Sequence, residues 1–519
     1  MFLTFPLIIL LFMSQIYLSL GTGNSTEAYD PSITLDLSDL KSKDFYLNNF
    51  TISDPLTKIF ILNLNDNTSF FVLQIHAYLG TVALSHTEKL EPLKHVNGSN
   101  IGIYWGKNME SVGRPITFYV RRLNPVQDAI NIMLAVHTYE KSDPVPGGCN
   151  LSFEMENAPY QIVTYDHNLI TSEAQPPSLY EYNKKCDENN ITTELFYMQL
   201  PMDHINEDEY FNALKTMLTK EDILHYGTKV SNDLNHPQFK QFYNIYRGRG
   251  YVFGIVSTYK NRSSVYVPSI SFGCDITDWD TNCVGYGGHQ VWAITYSFLI
   301  ISGITSVLSG HWFVKISIGF SWFNLGTVIT FILFVLNYDK LTIEEKLIFS
   351  LVVGALLAIF IVFLHYKFER PKIYISISGS HMLSGGLLAS VIAGIFHPLS
   401  NSTFWYVFGG VSLSSVLLLF IGFPVGHIIS HTFVGGYALM SGIAMFNGGH
   451  IQYLYINVYR RLIADNYVSA VAGLSFTWSI FFEYIGWLVL IIVGFCLQFM
   501  MSRNRNLYRK GYASVHSIS

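Results

Sequence analysis

The chain has 519 residues, of which 50% are hydrophobic and 13% are charged, with a formal net charge of −5. An ordinary soluble domain has roughly 25% charged residues, so the composition excludes a purely soluble protein. Basic residues outnumber acidic ones only after residue 290, and no Asp, Glu, Lys or Arg occurs from Ile373 to Tyr459. The surplus of basic residues lies in the hydrophobic region after residue 290 and its short tail, so we expect no nucleic-acid partner. We expect the lipid bilayer to be a partner of this region.

Residues 1–21 predict a secretory signal peptide. An apolar stretch begins at Phe2 and continues to Leu20, and Ser19 and Gly21 are spaced like a signal-peptidase site. An uncleaved anchor is the alternative, because the α-amino group supplies the only positive charge before the stretch. We therefore expect the N-terminus on the extracellular or lumenal side.

The segment that follows carries the sequence marks of an exported glycoprotein. Asn-x-Ser/Thr triplets, the acceptors of N-glycosylation, occur at Asn24, Asn49, Asn67, Asn97, Asn150, Asn190, Asn261 and Asn401. Four cysteines also lie in the exported region: Cys149, Cys186, Cys274 and Cys283. Two disulfides are expected in an oxidising compartment, and among the three connectivities sequence proximity favours Cys149–Cys186 and Cys274–Cys283.

Alternation of apolar and polar residues predicts half-buried strands in the exported region. The strands are predicted near 33–37, 59–64, 71–77, 101–105, 116–120, 130–136, 151–155, 251–257 and 264–268. Many short strands favour a β-sandwich-like fold, and the segment Pro144–Gly148 divides it into residues 22–143 and 144–285. One helix is predicted in the second part over Glu207–Leu224, with Asn206 as its N-cap.

Residues 286–502 predict an all-α bundle of seven transmembrane helices, followed by a cytoplasmic tail over 503–519. Each span needs about 20 apolar residues, and the distribution of Lys and Arg follows the positive-inside rule. The spans are predicted at 291–310, 316–336, 347–365, 373–397, 404–422, 425–446 and 478–500. Residues 451–462 predict a short helix on the outer membrane face, with Arg460 and Arg461 off its apolar stripe.

The sequence His427-Ile-Ile-Ser-His431 is the arrangement with the most chemical potential. Histidines at i and i+4 share a helix face and could hold a zinc ion, so one alternative is a membrane-embedded metal-dependent hydrolase. A third ligand would come from His381 or His397, and no intramembrane Asp completes the site, so packing is the favoured interpretation. No known catalytic or cofactor motif occurs, and we expect a non-enzymatic protein without cofactors.

Several segments resemble the transmembrane 7 superfamily member 3 family. They are Pro144–Phe153, His311–Phe320 and Gly436–Arg461, and the order of signal peptide, glycosylated β-rich ectodomain and seven spans matches along the whole chain. The resemblance implies a multi-pass protein of the plasma membrane or secretory pathway that restrains cell death and responds to protein-folding stress. An unknown extracellular protein or ligand would bind its ectodomain, and the oligomeric state is left open. A non-classical receptor or transporter is the remaining alternative.

Overall fold

The computed structural model describes residues 32–503, except 39, 41–44, 110–114, 124–128, 167, 181–189, 202–205, 231–238, 247, 280–282, 284–289, 311–312, 339, 368–371, 396–399, 423–424, 448 and 472–476. The predicted signal peptide, Asn24, Cys186, His397 and residues 504–519 of the tail lie outside this part. The described residues form a β-rich region followed by a helical region, in the order that the sequence predicts.

The first β domain is a sandwich of two sheets. One sheet has the order β1-β3-β8-β5-β6, with β1 parallel to β3, and the other has the order β2-β9-β4-β7. Side chains that alternate along the strands, such as Leu73 and Phe118, meet between the sheets and are fully buried. The strands are β1 Ser32–Asp36, β2 Phe45–Ile52, β3 Leu56–Leu62, β4 Phe70–Ala77, β5 Val82–Ser85, β6 His95–Gly98, β7 Asn100–Gly106, β8 Ile116–Arg122 and β9 Ile130–Tyr139.

The second β domain contains three sheets, of two, three and five strands. Their orders are β10-β13, β11-β12-β16 and β15-β14-β17-β18, with β19 also paired to β17. Cys274 and Cys283 form a disulfide after the last strand, and Cys149 is also disulfide-bonded. The strands are β10 Pro144–Val145, β11 Gln161–Tyr165, β12 Leu169–Ala174, β13 Ser178–Leu179, β14 Thr192–Gln199, β15 Thr228–Lys229, β16 Phe239–Asn244, β17 Tyr251–Tyr259, β18 Arg262–Val265 and β19 Ser269–Ser271.

The strand predicted over 151–155 is wrong, because this segment is a series of bends. The side chain of Asn150 accepts hydrogen bonds from the backbone N–H groups of Ser152 and Phe153. Its Nδ2 group also donates to the carbonyl oxygens of Phe153 and Met155. An Asn side chain that bonds its own backbone in this way stabilises a local turn in place of a strand.

The single helix predicted over Glu207–Leu224 is two helices, α1 (Glu207–Lys215) and α2 (Lys220–Tyr226). The predicted N-cap is confirmed: Asn206 and Glu209 form a reciprocal capping box. The break arises because Thr219 has an extended backbone and its hydroxyl accepts the N–H of Asp222, which starts a new helix.

The two β domains share a buried contact through α1. Strand β4 is buried at every position, so the half-buried strand predicted at 71–77 is wrong on its outer face. That face of the β4–β9 sheet is covered because Met133 of β9 packs with Phe211 of α1. The Nδ2 group of Asn100 donates to the Tyr210 hydroxyl at 3.0 Å across the same contact. The two domains therefore form one packed body.

The segment Pro144–Gly148, where the sequence places a domain boundary, is buried between the two domains. Gly147 has a φ of +61°, and a Cβ atom there would overlap the carbonyl oxygen of Ala158. Its N–H donates to the Tyr266 hydroxyl at 3.0 Å, and that hydroxyl donates to the carbonyl oxygen of Gln175. Only glycine fits this close approach, so the connection is rigid.

Every predicted span coincides with a helix. These helices are α3 Gln290–Ser309, α4 Val314–Asn337, α5 Ile343–Lys367, α6 Lys372–Ile395, α7 Asn401–Gly422, α8 Val425–Asn447 and α10 Trp478–Arg503, and the predicted short helix is α9 Tyr453–Ile463. Within the described residues, five are long and apolar enough to cross a membrane: α3, α4, α5, α8 and α10. That α6 and α7 also cross it stays a prediction.

Small residues let the helices of the bundle approach closely. A Cβ atom added to Gly303 of α3 would lie 2.7 Å from the carbonyl oxygen of Gly435 of α8. Trp487 of α10 packs with Leu387 of α6 and Tyr437 of α8 in one buried cluster. Backbone contact at small residues and interlocking of larger ones is how helices associate in lipid.

Two histidines are held neutral inside the β region. His76 of β4 is fully buried, with Nδ1 2.9 Å from Oδ1 of Asn100, and His137 of β9 is stacked on Phe45. Burial lowers the pKa of His76 and the pKa of His137 to about 4. Burial disfavours the charged form of an imidazole, so protonation of either ring destabilises the folded β region.

We expect the β region to lose stability as the pH falls from about 6.5 to about 4. The unfolded chain binds a proton at each histidine in this range and the folded chain does not, so each ring lowers the free energy of unfolding by about 1.4 kcal/mol per pH unit. Hydrogen-exchange protection of β4 and β9, corrected for intrinsic exchange, measures this slope in the full-length protein. His137→Phe keeps the stacking on Phe45 and should reduce the slope by the contribution of one histidine.

His225, which is exposed on α2, supplies the matched control. His225→Phe should leave the slope unchanged. A flat wild-type profile between pH 7 and 5 would contradict the neutral burial of His76 and His137.

Candidate functional site at the contact between the β region and the helices

Arg460 lies on α9 beneath the second β domain and is 1% exposed. Its Nη1 group donates to Oδ1 of Asn244 at 2.9 Å and to the carbonyl oxygen of Ile245 at 2.6 Å. Its guanidinium carbon lies 5.3 Å from the centre of the Tyr453 ring. Burial of a guanidinium is costly unless its donors are satisfied, so these uncharged partners determine where the β domain can sit on α9.

Asn244, the last residue of β16, is fully buried and contacts both sides of the interface. Its Nδ2 group donates to Oδ1 of Asn457 on α9 at 2.9 Å and to the Tyr246 hydroxyl at 3.0 Å. One side-chain amide thus accepts from Arg460 and donates to Asn457. A buried network of this kind restricts the elements that it joins to few arrangements, although the other Nη group of Arg460 has no hydrogen-bond partner among the described residues.

The backbone after α9 extends a sheet of the second β domain. Val471 forms a parallel bridge with Tyr243. Its N–H donates to the carbonyl oxygen of Phe242 at 2.8 Å, and its own carbonyl oxygen accepts the N–H of Asn244 at 2.9 Å. Gln241 adds a side-chain bond from Nε2 to the carbonyl oxygen of Ser469. The exposed edge of β16 is thereby covered by a segment of the helical region.

Aromatic and apolar side chains fill the rest of the contact. Tyr246 of the second β domain meets Tyr453 of α9 edge to face, with ring centroids 4.8 Å apart. Leu169 of β12 packs with Tyr467 and Ala470 in the segment after α9. Burial of these side chains adds the non-directional stabilisation that the hydrogen bonds alone do not provide.

Helix α9 is also fixed to the spans beneath it. Oε2 of Glu483 on α10 accepts the backbone N–H groups of His450 and Ile451 at 2.7 and 2.8 Å, just before α9 begins. The Tyr455 hydroxyl donates to the carbonyl oxygen of Leu383 on α6. The carboxylate of Glu483 therefore holds the turn that leads into α9, and α9 connects the β region to α6 and α10.

Sequence analysis did not predict the interaction partners of Arg460 and Arg461. The short helix predicted over 451–462 is confirmed, but its outer side is covered by the second β domain, so Arg460 is buried. Arg461 lies over the Phe404 ring at 4.3 Å and its Nε donates to Oδ1 of Asn401. The one local signal was that Arg460 ends the long charge-free run, and its partner Asn244 is 216 residues away.

His427 and His431 lie together on α8, with ring centroids 4.1 Å apart, and both are 2% exposed. Nδ1 of His431 is 2.7 Å from the Ser317 hydroxyl on α4. Nδ1 of His381 on α6 donates to the carbonyl oxygen of Ser415 on α7 at 3.1 Å. These polar contacts join neighbouring helices, as the packing interpretation of His427 and His431 predicts.

A metal site needs more ligands than the pair supplies. Among the described residues, no group of three or more His, Cys, Asp or Glu side chains is placed to hold a metal ion. His397, the other candidate for a third ligand, lies outside them. Within the part of the chain that the structure describes, the zinc site of a hydrolase would thus have only the two ligands that the sequence suggested, His427 and His431.

The described glycosylation triplets differ in the exposure of their asparagines. Asn150 is half-buried, and its Nδ2 group, which would carry a glycan, donates to the carbonyl oxygens of Phe153 and Met155. The others are exposed: Asn49, Asn67, Asn97, Asn190, Asn261 and Asn401.

Three family models match the chain in consecutive segments. Residues 35–139 match "TM7SF3-like, N-terminal immunoglobulin-like domain". Residues 144–277 match "TM7SF3-like, second immunoglobulin-like domain". Residues 296–499 match "TM7S3/TM198-like domain". The β-rich region is thus immunoglobulin-like, and the helical region matches a domain of a membrane protein family.

The chain is similar along most of its length to proteins named Transmembrane 7 superfamily member 3. The Homo sapiens protein is 23% identical over 491 residues, which cover 88% of this chain and 82% of that protein. The Rattus norvegicus protein is 22% identical over 466 residues, with coverage of 85% and 80%. The Mus musculus protein is 22% identical over 467 residues, with the same coverage.

We expect Arg460→Met to loosen the β region from the helices. The substitution keeps much of the side-chain volume but leaves Oδ1 of Asn244 and the carbonyl oxygen of Ile245 buried without this donor, at a cost of about 1–3 kcal/mol for each group. Hydrogen exchange should become faster in β16 and in residues 464–471. Lys340→Met, at an exposed position, is the control, and unchanged protection in both segments of the Arg460 variant would contradict the assignment.

We expect Asn150 to remain unglycosylated in protein from secreting cells, because its Nδ2 group is engaged in the turn. Asn261, on an exposed hairpin, should be modified and is the internal control. Mass spectrometry after enzymatic deglycosylation in heavy-oxygen water reports occupancy at each site. Equal occupancy at Asn150 and Asn261 would contradict the turn geometry.

Proposed function

The chain belongs to the transmembrane 7 superfamily member 3 family, and from that premise we propose that it is a non-enzymatic multi-pass membrane protein that regulates cell survival and the response to protein-folding stress. Its ectodomain binds an extracellular or lumenal partner, and its helices anchor the protein and transmit the binding event. The role in survival and stress comes from the family resemblance.

The observation that carries the proposal is the rigid contact at α9. Arg460 and Asn457 join α9 to Asn244 in the second β domain, and Glu483 and Tyr455 join the same helix to the spans. An ectodomain that served only as a flexible tether would need no such network. A continuous set of contacts therefore joins the β region to the bundle through α9, and transmission would use two arrangements of α9 whose balance a bound partner shifts.

The proposal includes a topology. Residues 1–21 are a cleaved signal peptide, the immunoglobulin-like domains of residues 22–143 and 144–285 are extracellular or lumenal, residues 286–502 cross the membrane seven times, and residues 503–519 are cytoplasmic. The lengths of α6 and α7 support seven crossings, because both exceed the roughly 20 residues that a span needs. The protein resides in the plasma membrane or the secretory pathway.

Further covalent features belong to the same proposal. Cys149 pairs with Cys186, in addition to the disulfide between Cys274 and Cys283. N-linked glycans occupy exposed triplets of the β region, and the exposure of these asparagines agrees with an exported domain. Both kinds of modification require the oxidising, lumenal compartment that the signal peptide provides.

We expect cells that lack the protein to survive secretory folding stress less well, and wild type to rescue them. His427→Ala/His431→Ala should rescue equally, because the proposal gives the pair a packing role. Arg460→Met should rescue less, because it separates the ectodomain from the helices. Lys340→Met is the matched control, and all variants are compared at equal surface abundance by viability after inhibition of glycosylation or of disulfide formation.

Unchanged survival on loss of the protein would overturn the proposed role. Failure of the histidine variant alone would favour the metal-dependent hydrolase. Full rescue by Arg460→Met, with the loosened contact verified by hydrogen exchange, would show that transmission through α9 is not needed.

A further inference from the structure

An apolar cavity of about 440 Å³ lies in the half of the helical bundle that faces the β region. Its walls come from α4, α5, α6 and α7, and α9 covers its end. Leu325, Leu347 and Leu383 form its inner surface and are 7%, 5% and 5% exposed. The volume lies in the range of sites that bind small organic molecules, which is about 300–1,000 Å³.

The cavity is open to the surface that contacts lipid. Ile329 of α4, Met382 of α6 and Leu462 of α9 line it and are also 45%, 42% and 38% exposed. These exposed side chains lie on the outside of the helical region, so the space inside opens toward hydrocarbon where that region lies in the bilayer. A molecule dissolved in the membrane can enter without crossing water.

The lining is uncharged, and its polar groups include Asn168 at one end and the hydroxyls of Thr327 on α4 and Ser412 on α7, which are buried without a hydrogen-bond partner among the described residues. Asp, Glu, Lys and Arg are absent from the described residues that form it. Asn168, in the turn between β11 and β12, supplies an amide at the end nearest the β region, where the bilayer meets the second β domain. A charged headgroup buried in this space would have no compensating partner.

The walls are also rigid and rich in rings, including those of Trp292, Phe331, Trp405 and Phe408. A flexible acyl chain loses rotational freedom at every bond when it is ordered against such walls, whereas a fused-ring molecule has little to lose. Leu454, Tyr459 and Arg461 fit the loose sequence pattern suggested for sterol contact, which alone carries little weight.

We propose that this cavity binds a sterol from the bilayer, with its rings between α4, α6 and α7 and its hydroxyl directed toward Asn168. Occupancy would fill the space beneath α9, the helix that holds the second β domain. The site is independent of the survival role, since its argument uses only the shape and chemistry of the bundle.

The test is photo-crosslinking of the full-length protein in phosphatidylcholine bilayers with a diazirine-bearing sterol, followed by mapping of the labelled peptides. We expect label on α4, α6, α7 or α9 at cavity residues and competition by unlabelled cholesterol. Gly386→Leu and Ile332→Phe project bulk into the cavity from two different helices and should reduce the label about tenfold. A Cβ atom at Gly386 has its closest contact at 3.4 Å, to the Tyr455 hydroxyl, so the backbone accepts a side chain there.

Leu333→Phe is the matched control, because Leu333 lies beside Ile332 on α4, is 53% exposed and does not line the cavity. It should keep wild-type labelling. The proposal is overturned if both filling variants label like wild type, or if label is spread evenly over lipid-facing positions. A diazirine-bearing palmitoyl lipid that labels the cavity when the sterol does not would assign the space to an acyl chain and refute the sterol.

Discussion

The position of the β region on the membrane bundle depends on the buried guanidinium of Arg460. A cation in this environment tolerates few arrangements, because each of its donors needs an acceptor that water can no longer supply. Asn244 and Ile245 provide acceptors for one Nη group from the end of β16, and Tyr453 provides the face of a ring, while the other Nη group has no hydrogen-bond partner in the part of the chain that the structure describes. Alternative placements of the second β domain would leave the charge unsatisfied. Together with the bridge at Val471 and the rings of Tyr246 and Tyr453, the side chain of Arg460 defines how the two regions are oriented.

The same rigidity extends outward through the immunoglobulin-like domains. Helix α1 covers the outer face of the β4–β9 sheet, and the glycine turn at Gly147 has no room for movement. Both domains and α9 are therefore joined by packed contacts, and not by the exposed linkers that produce flexible chains of domains. The first domain is thus connected to the bundle through a continuous set of packed elements.

Local patterns predicted most elements, and distant contacts account for the failures. Alternation predicted the strands around Leu73 and Phe118, apolar length predicted the long helices, and Asn206 with its acidic first turn predicted a helix start. A pattern of period two reports only that one face is buried, so the second buried face of β4 was not visible in it. The two helices α1 and α2 merged into one prediction because their apolar positions keep nearly the same spacing across Thr219. Arg460 and Asn244 are too far apart in sequence for a local sequence pattern to reveal their contact. The cavity could not be predicted either, because its lining comes from six or more elements at once.

The bridge between Val471 and β16 places a constraint on biosynthesis. The edge of β16 emerges from the ribosome more than two hundred residues before the strand-like segment that covers it, and six long helices of the bundle must be made in between. During that interval the edge is an unpaired template that is open to pairing with other chains. Completion of this sheet therefore depends on synthesis of the helical region. A nascent chain whose later helices fail to pack would keep an open sheet edge, which is a site for aggregation.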